Sequence, residues 1–247
     1  MKDWYKSWFN SPFYLTVYNH RDTHDAEKLL DLILRYINPN SELKVLDTAC
    51  GAGRHAIYLA EKGFDVYGFD LSKTLLLEAI KKAELGNINV KFLLTDIRAA
   101  CFKIKFDIIL NLFTSFGYFE NDNENFRFFI KAKSFLAKEG VLIIDYFNPK
   151  YLKKNLIDYS EKNINSIIIK EKRYFQGERV NKSIEIISEK NTYHFEESVA
   201  LYNYDYLKRK FEEMGYKIVK QWGNYDGDSF NEEVSERIIL VLKQCDI

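Results

Sequence analysis

Val45-Leu46-Asp47-Thr48-Ala49-Cys50-Gly51-Ala52-Gly53-Arg54-His55-Ala56 reads as a strand ending in an acid, a glycine-bearing loop, and the start of a helix. Gly51 and Gly53 let the backbone approach a ligand closely, and the helix start offers unpaired amides to an anionic group. The spacing Gly51-x-Gly53-x-x-Ala56 also satisfies a dinucleotide fingerprint, which keeps an NAD(P)-dependent oxidoreductase open as an alternative. Asp47 separates the two readings. A carboxylate at the strand tip repels a pyrophosphate but pairs with an ammonium.

Outward from this stretch, short apolar runs alternate with amphipathic segments, the pattern of a parallel sheet covered by helices. Strands are predicted at 44–48, 65–69, 89–94, 106–112 and 141–146. Apolar residues at three- and four-residue steps predict helices over Gly53–Lys62, Ser72–Ala83 and Asn123–Ala137, with Ser72 as a cap. Residues 163–202 instead carry β-branched and aromatic residues at period two, with turns at Gln176-Gly177-Glu178 and Lys190-Asn191. They predict a small antiparallel sheet inserted after the fifth strand. A helix over Tyr204–Met214, stopped by Gly215, then leads to strands at 216–222 and 237–243. The expected fold is α/β: a Rossmann-like sheet of about seven strands, the last antiparallel, with helices on both faces. The chain is read as a single domain over 1–247, with an aromatic arm and helix over 1–40 and an inserted antiparallel β cap over 150–202.

In such sheets ligands sit beyond the carboxyl ends of the strands. Asp70 ends the second strand near the ~20-residue offset at which an acid binds ribose hydroxyls. Asp96 follows the third, where a carboxylate accepts from an adenine amino group while Leu71 and Ile97 sandwich the ring. Each acid alone is equally a turn or cap residue. Three acids after three consecutive strands, the first of them matched to an ammonium, point to S-adenosyl-L-methionine. Ala49, Cys50, Gly51, Gly53 and Arg54 are its loop contacts.

With these motifs, the chain resembles the class I S-adenosylmethionine-dependent methyltransferases. It is similar to bacterial small-molecule members in which Asn111-Leu112-Phe113-Thr114-Ser115-Phe116-Gly117-Tyr118-Phe119 follows the fourth strand. Tyr225-Asp226-Gly227 and Ser235-Glu236-Arg237 look like recurrent family features. The sequence departs from the family at Ala49, where many members carry a first glycine, and at Ala200, where relatives often carry arginine. On this resemblance, Asn111, Leu112, Phe113, Phe116 and Tyr118 are expected beside the methionine portion of the cofactor and its transferring methyl group, with core packing as the alternative for Phe116. The resemblance also implies that the segment Trp4–Arg21, with seven aromatics, folds over the cofactor, bringing Tyr18 and Arg21 to its carboxylate. The alternative is a hydrophobic arm packed on a sheet edge.

No catalytic residue is assigned, because in-line transfer from a sulfonium is driven largely by positioning. Candidates are His194, on the inserted sheet or merely an exposed strand histidine, Tyr118 in the fourth-strand loop, and Asp145 at the tip of the fifth strand. His20 and His24 lack a third ligand, so no metal site is expected. Lysine plus arginine and aspartate plus glutamate number 36 each, and the base-methylating Asn-Pro-Pro-Tyr signature is absent, which together disfavour nucleic acid. Three widely spaced cysteines and the lack of a long apolar run predict a cytoplasmic protein off the membrane, with monomer and homodimer both left open. The expected activity is methyl transfer to N, O or S of a small molecule. A non-catalytic cofactor-binding protein is the remaining alternative.

Overall fold

Helices α1 (Trp4–Phe9), α2 (Tyr14–Val17) and α3 (Thr23–Ile37) precede the first strand of the computed structural model, which describes residues 3–18, 23–38, 43–164 and 166–245. Then come β1 (Lys44–Thr48), α4 (Arg54–Glu61), β2 (Asp65–Asp70), α5 (Lys73–Leu85), β3 (Lys91–Leu94), β4 (Phe106–Asn111), α6 (Asp122–Ala132) and β5 (Leu136–Phe147). After α7 (Pro149–Asn155), four strands follow: β6 (Tyr159–Ile164), β7 (Ile167–Gln176), β8 (Arg179–Ile187) and β9 (Thr192–Ala200). The chain closes with α8 (Tyr204–Glu213), β10 (Tyr216–Trp222) and β11 (Arg237–Gln244).

The main sheet has seven strands in the order β10-β11-β5-β4-β1-β2-β3. β1 to β5 run parallel, and β11 lies antiparallel between β5 and β10. The central strands are apolar on both faces, as strands covered by helices on each side must be. Val45, Ile108, Leu110 and Ile143 pack with Leu29, Leu30 and Ile33 of α3 and Leu59 of α4. Leu46, Ile109, Leu142 and Ile144 turn the other way, onto Phe126 and Phe129 of α6 and Phe211 of α8. Strand order reverses between β1 and β4, and the crevice above that switch point is where the fold offers a ligand its place.

β6 to β9 form a separate antiparallel sheet. One face of this cap, carrying Ile169, Ile184, Ile186 and Phe195, receives the aromatic arm, with Trp8 fully buried and Val17 and Tyr18 beside it. The arm therefore packs under the cap instead of along a sheet edge. Arg179 joins the cap to the main sheet, donating to the carbonyls of Phe119 at 3.0 Å, Gly117 at 3.1 Å and Tyr118 at 3.2 Å.

The expected fold class is present, with three local differences. The helix expected over Asn123–Ala137 ends at Ala132, because Leu136 pairs with Phe106 and opens β5. Phe135 and Leu136 continue the helical spacing of apolar residues, and only the neighbouring strand reveals that they serve a sheet. The cap has four strands, not the three read from residue 163 onward. Its first, Tyr-Ser-Glu-Lys-Asn-Ile over 159–164, is polar and covered on one face only, which hides its period. The third strand begins at Lys91 instead of 89.

Gly53 is constrained twice over. Its φ is +77°, and a Cβ there would lie 2.9 Å from Ala79 Cβ of α5 and 3.1 Å from Phe92 Cζ of β3. Gly53→Ala is expected to destabilise the protein by about 1–3 kcal/mol in denaturant unfolding, through strain and overpacking in a close-packed core.

Candidate active site

Three strand tips build one cleft. Cys50, buried, anchors the loop after β1 by donating its N–H to Phe69 O at 2.9 Å, and Ala49, Gly51 and Gly53 all take positive φ. Asp70, at the end of β2, accepts from Gly51 N at 2.8 Å and Ser72 N at 2.7 Å. Burial raises its pKa against those bonds. Asp70, Leu71, Asp96 and Ile97 line the cleft beside Ala49, and Phe9 of α1 and Tyr118 close it. The structure thus brings together the residues expected around ribose and adenine. Asp96 is gripped by Arg98, whose N–H donates at 2.8 Å and whose guanidinium donates at 2.7 Å. Partial burial works against the Asp96 anion, but the bonds from Arg98 prevail and hold its carboxyl below the usual range.

At the switch point, on the neighbouring strands β1 and β4, Asp47 and Asn111 each carry an unmet demand. Asp47 is 1% exposed, and its Oδ2 has no hydrogen-bond partner among the described residues. Burial, and then the charge of Asp70, push its carboxyl up to about 8. His55 Nδ1 lies 3.9 Å away, but burial and then Arg54 push that imidazole down to about 3, so the two are not an ion pair near neutral pH. Asn111 donates from Nδ2 to Thr48 Oγ1 at 2.9 Å, leaving its buried Oδ1 without a donor. A buried carboxylate oxygen without a donor, as at Asp47, fits a cationic, N–H-bearing group, as the ammonium of S-adenosylmethionine is.

Beyond β4 the chain does something costly. Leu112 is buried, and the next two residues, Phe113 and Thr114, take φ of +54° and +60°. Left-handed backbone costs an L-residue roughly 1–2 kcal/mol. The Phe113 ring is held by Arg54, whose guanidinium carbon lies 4.6 Å from the ring centroid, and by Tyr225 at 5.5 Å between centroids. Phe113, Thr114 and Tyr118 form one wall of a second cavity of about 380 Å³, roofed by the cap residues Lys182, Glu197 and Val199. Tyr118 and Phe9 belong to both spaces, so the cavity abuts the cleft.

The candidates for catalysis are placed differently from one another. Tyr118 stands between the two spaces and donates its hydroxyl to Thr114 O at 2.6 Å. Asp145 is fully buried, accepting from Arg237 Nε at 2.7 Å, Phe113 N at 2.9 Å and the Tyr225 hydroxyl at 3.0 Å. His194 is exposed, on the cap face opposite Phe195 and Glu197. Tyr18 lies in the arm's core and donates its hydroxyl to Glu197. Arg21 and His20 lie outside the described residues.

Several cavity residues escape a reading of motifs. Glu197 accepts from Trp8 Nε1 at 2.7 Å and pairs with Lys182 at 3.1 Å, and Arg173 pairs with Glu171 at 2.8 Å. A signal for Glu197 existed: Phe195 marks the buried face of β9, and period two puts 197, not 194, beside it. Arg237 and Tyr225 stood only within family features.

This arrangement, a switch-point crevice with an orphaned acid, an acid bound to loop amides and a cavity alongside, defines the class I S-adenosylmethionine-dependent methyltransferases. A family profile described as a methyltransferase domain matches residues 39–214, and the chain belongs to that family. The chain is 24% identical over 225 residues to a glycine/sarcosine N-methyltransferase of Aphanothece halophytica, covering 87% of this chain and 81% of that one. A methyltransferase from Clostridium acetobutylicum ATCC 824 shares the fold at a TM-score of 0.81 and 18% identity, over 95% of this chain and 96% of the other. An amino pentose methyltransferase from Micromonospora echinaspora, solved with S-adenosylmethionine bound, aligns at a TM-score of 0.68 and 18% identity, over 95% and 97%. The protein is an S-adenosylmethionine-dependent enzyme, which leaves the dinucleotide reading of its loop without support.

Asp47 makes this testable through pH. Its folded-state pKa of about 8 lies above the ordinary 3.8, so the fold keeps a proton that the unfolded chain releases. Through this group, ligand-free stability is full below about pH 4 and falls as pH rises toward 8. Asp47→Asn is expected to unfold at a higher temperature than wild type without ligand, by a margin that grows from about pH 5 to about pH 8. The same variant should bind S-adenosylhomocysteine at least about tenfold more weakly in calorimetry, because the ammonium loses its counter-charge.

Proposed function

We propose that the protein methylates the amine nitrogen of a small molecule seated in the cavity beneath the cap, by in-line displacement. The observation that carries this reading is the cavity of about 380 Å³ sharing Phe9 and Tyr118 with the cofactor cleft. That volume suits a metabolite and not a polymer.

When bound, S-adenosylmethionine supplies a methyl group on a cationic sulfur. The protein's part is to align an acceptor with that methyl and to keep water out. Positive charge moves onto the acceptor nitrogen as it is methylated, and aromatic faces suit such a charge. Trp4, Tyr14, Phe113 and Tyr225 turn aromatic surface toward the cavity, whose carboxylates Glu197 and the exposed Asp25 stand among the cations Arg173, Lys182 and Arg237. A hydroxyl acceptor would demand a strong base. The buried carboxylate nearest the loop, Asp145, is already bound by three donors, and Glu197 by Trp8, Tyr18 and Lys182. A free amine needs no base in the transfer step itself. Two of the three proteins named above are a glycine/sarcosine N-methyltransferase and an amino pentose methyltransferase, which supports an amine-bearing acceptor here.

The test is formation of S-adenosylhomocysteine by the purified protein, with amino sugars, sarcosine and other small amines set beside hydroxyl and thiol compounds of matched shape. Turnover confined to the amines is the expected result. Turnover with hydroxyl or thiol acceptors alone, while S-adenosylhomocysteine still binds, would sink the amine assignment.

A further inference from the structure

Asp145 sits at a junction that neither cofactor binding nor acceptor chemistry accounts for. It is fully buried at the tip of β5, beside the partner position Ile239 on β11. Its Oδ2 receives Phe113 N–H and the Tyr225 hydroxyl, its Oδ1 receives Arg237 Nε, and its main-chain carbonyl receives Thr114 N–H at 3.0 Å. Arg237 then reaches past it to donate from Nη2 to Thr114 Oγ1 at 3.0 Å. One acid and one arginine thus grip both residues of the left-handed pair from below and from the side. Thr114 passes the constraint on, because its carbonyl is what the Tyr118 hydroxyl binds. Tyr118 is the wall common to the cofactor cleft and the acceptor cavity.

We propose that Asp145, with Arg237, is a positioning residue for methyl transfer: it holds Phe113 and Thr114 in their left-handed turn, and so fixes Tyr118 at the opening between the two spaces. The proposal rests on the cavity being the acceptor site. It assigns Asp145 no proton to carry, since the carboxylate is fully buried and already accepts from three donors of the protein. The strain in the turn explains the need for a full charge. Two adjacent non-glycine residues with positive φ persist only where the surroundings over-determine them. A charge-assisted bond to the Phe113 amide and an ion pair to the arginine that holds Thr114 are stronger restraints than neutral bonds.

Asp145→Asn keeps the shape but removes the charge and one acceptor, and Tyr225→Phe, a milder change, removes a single donor from the same carboxylate. In the full chain, three measurements separate the possibilities. Amide exchange of the peptide covering Phe113 and Thr114 is expected to quicken at least about tenfold in Asp145→Asn, with β1 and β4 unchanged, and less in Tyr225→Phe. Calorimetric affinity for S-adenosylhomocysteine is expected to stay within about threefold of wild type. With the amine that the screen identifies, kcat is expected to fall about 10- to 100-fold, more than KM rises, with the pH–rate profile unchanged in shape. Exchange unchanged at Phe113 and Thr114, or quickened throughout the molecule, overturns the proposal, as does a wild-type kcat or loss of one limb of the pH profile, which would mark Asp145 as a base. Exchange and cofactor affinity require no acceptor, so failure of the amine reading is distinguishable from failure of the clamp.

Discussion

Asp70 reaches two loop amides at once, Gly51 N and Ser72 N, and four pieces of the molecule hang on that carboxylate. Gly51 belongs to the turn after β1, and Ser72 caps α5 by accepting from Leu75 N at 3.1 Å. The Ser72 hydroxyl also donates to Phe9 O at 2.6 Å, which ties the aromatic arm to the same point. Strand tip, cofactor loop, helix start and arm therefore share one origin. A buried carboxylate is tolerated there because backbone donors surround it, and those donors are oriented because it is there. The cleft inherits its shape from this mutual constraint.

The three buried acids at strand tips differ in the partners that satisfy them. Asp145 is satisfied by an arginine, an amide and a phenol. Asp70 is satisfied by amides alone, and burial raises its pKa. Asp47 lacks a cation and a full set of donors, and its carboxyl rises to about 8. An acid left in that condition costs stability in the ligand-free fold. Its persistence is intelligible if a cation arrives from outside. A structural acid would resemble Asp145.

The cap contributes enclosure. Its inner face is apolar toward the arm at Ile184 and Phe195 and charged toward the cavity at Lys182 and Glu197. Arg179 binds the carbonyls of the loop that carries Tyr118, so roof and floor of the cavity are joined through one side chain. None of the described helices is long and apolar enough to cross a membrane.

The nature of the main sheet was legible in the chain, since the period of apolar residues and the punctuation by glycine and serine are local properties. So was the meeting of Asp70 and Asp96 in one cleft, because each stands at the tip of a strand that could be read by itself. The end of α6 was not legible: Phe135 and Leu136 suit a helix face or a buried strand equally, and pairing with Phe106 decides. The cavity beneath the cap was still less so. Glu197, Lys182, Arg173 and Arg237 come from strands far apart in sequence, and no spacing rule links residues that meet only when a cap closes over a sheet. The left-handed turn at Phe113 and Thr114 contains no glycine to announce it, because tertiary contacts from Asp145 and Arg237 hold it in place. Local chemistry determined what kind of ligand the protein takes. Only the assembled structure decided that a second cavity closes beside the cleft, because enclosure is made of long-range contacts.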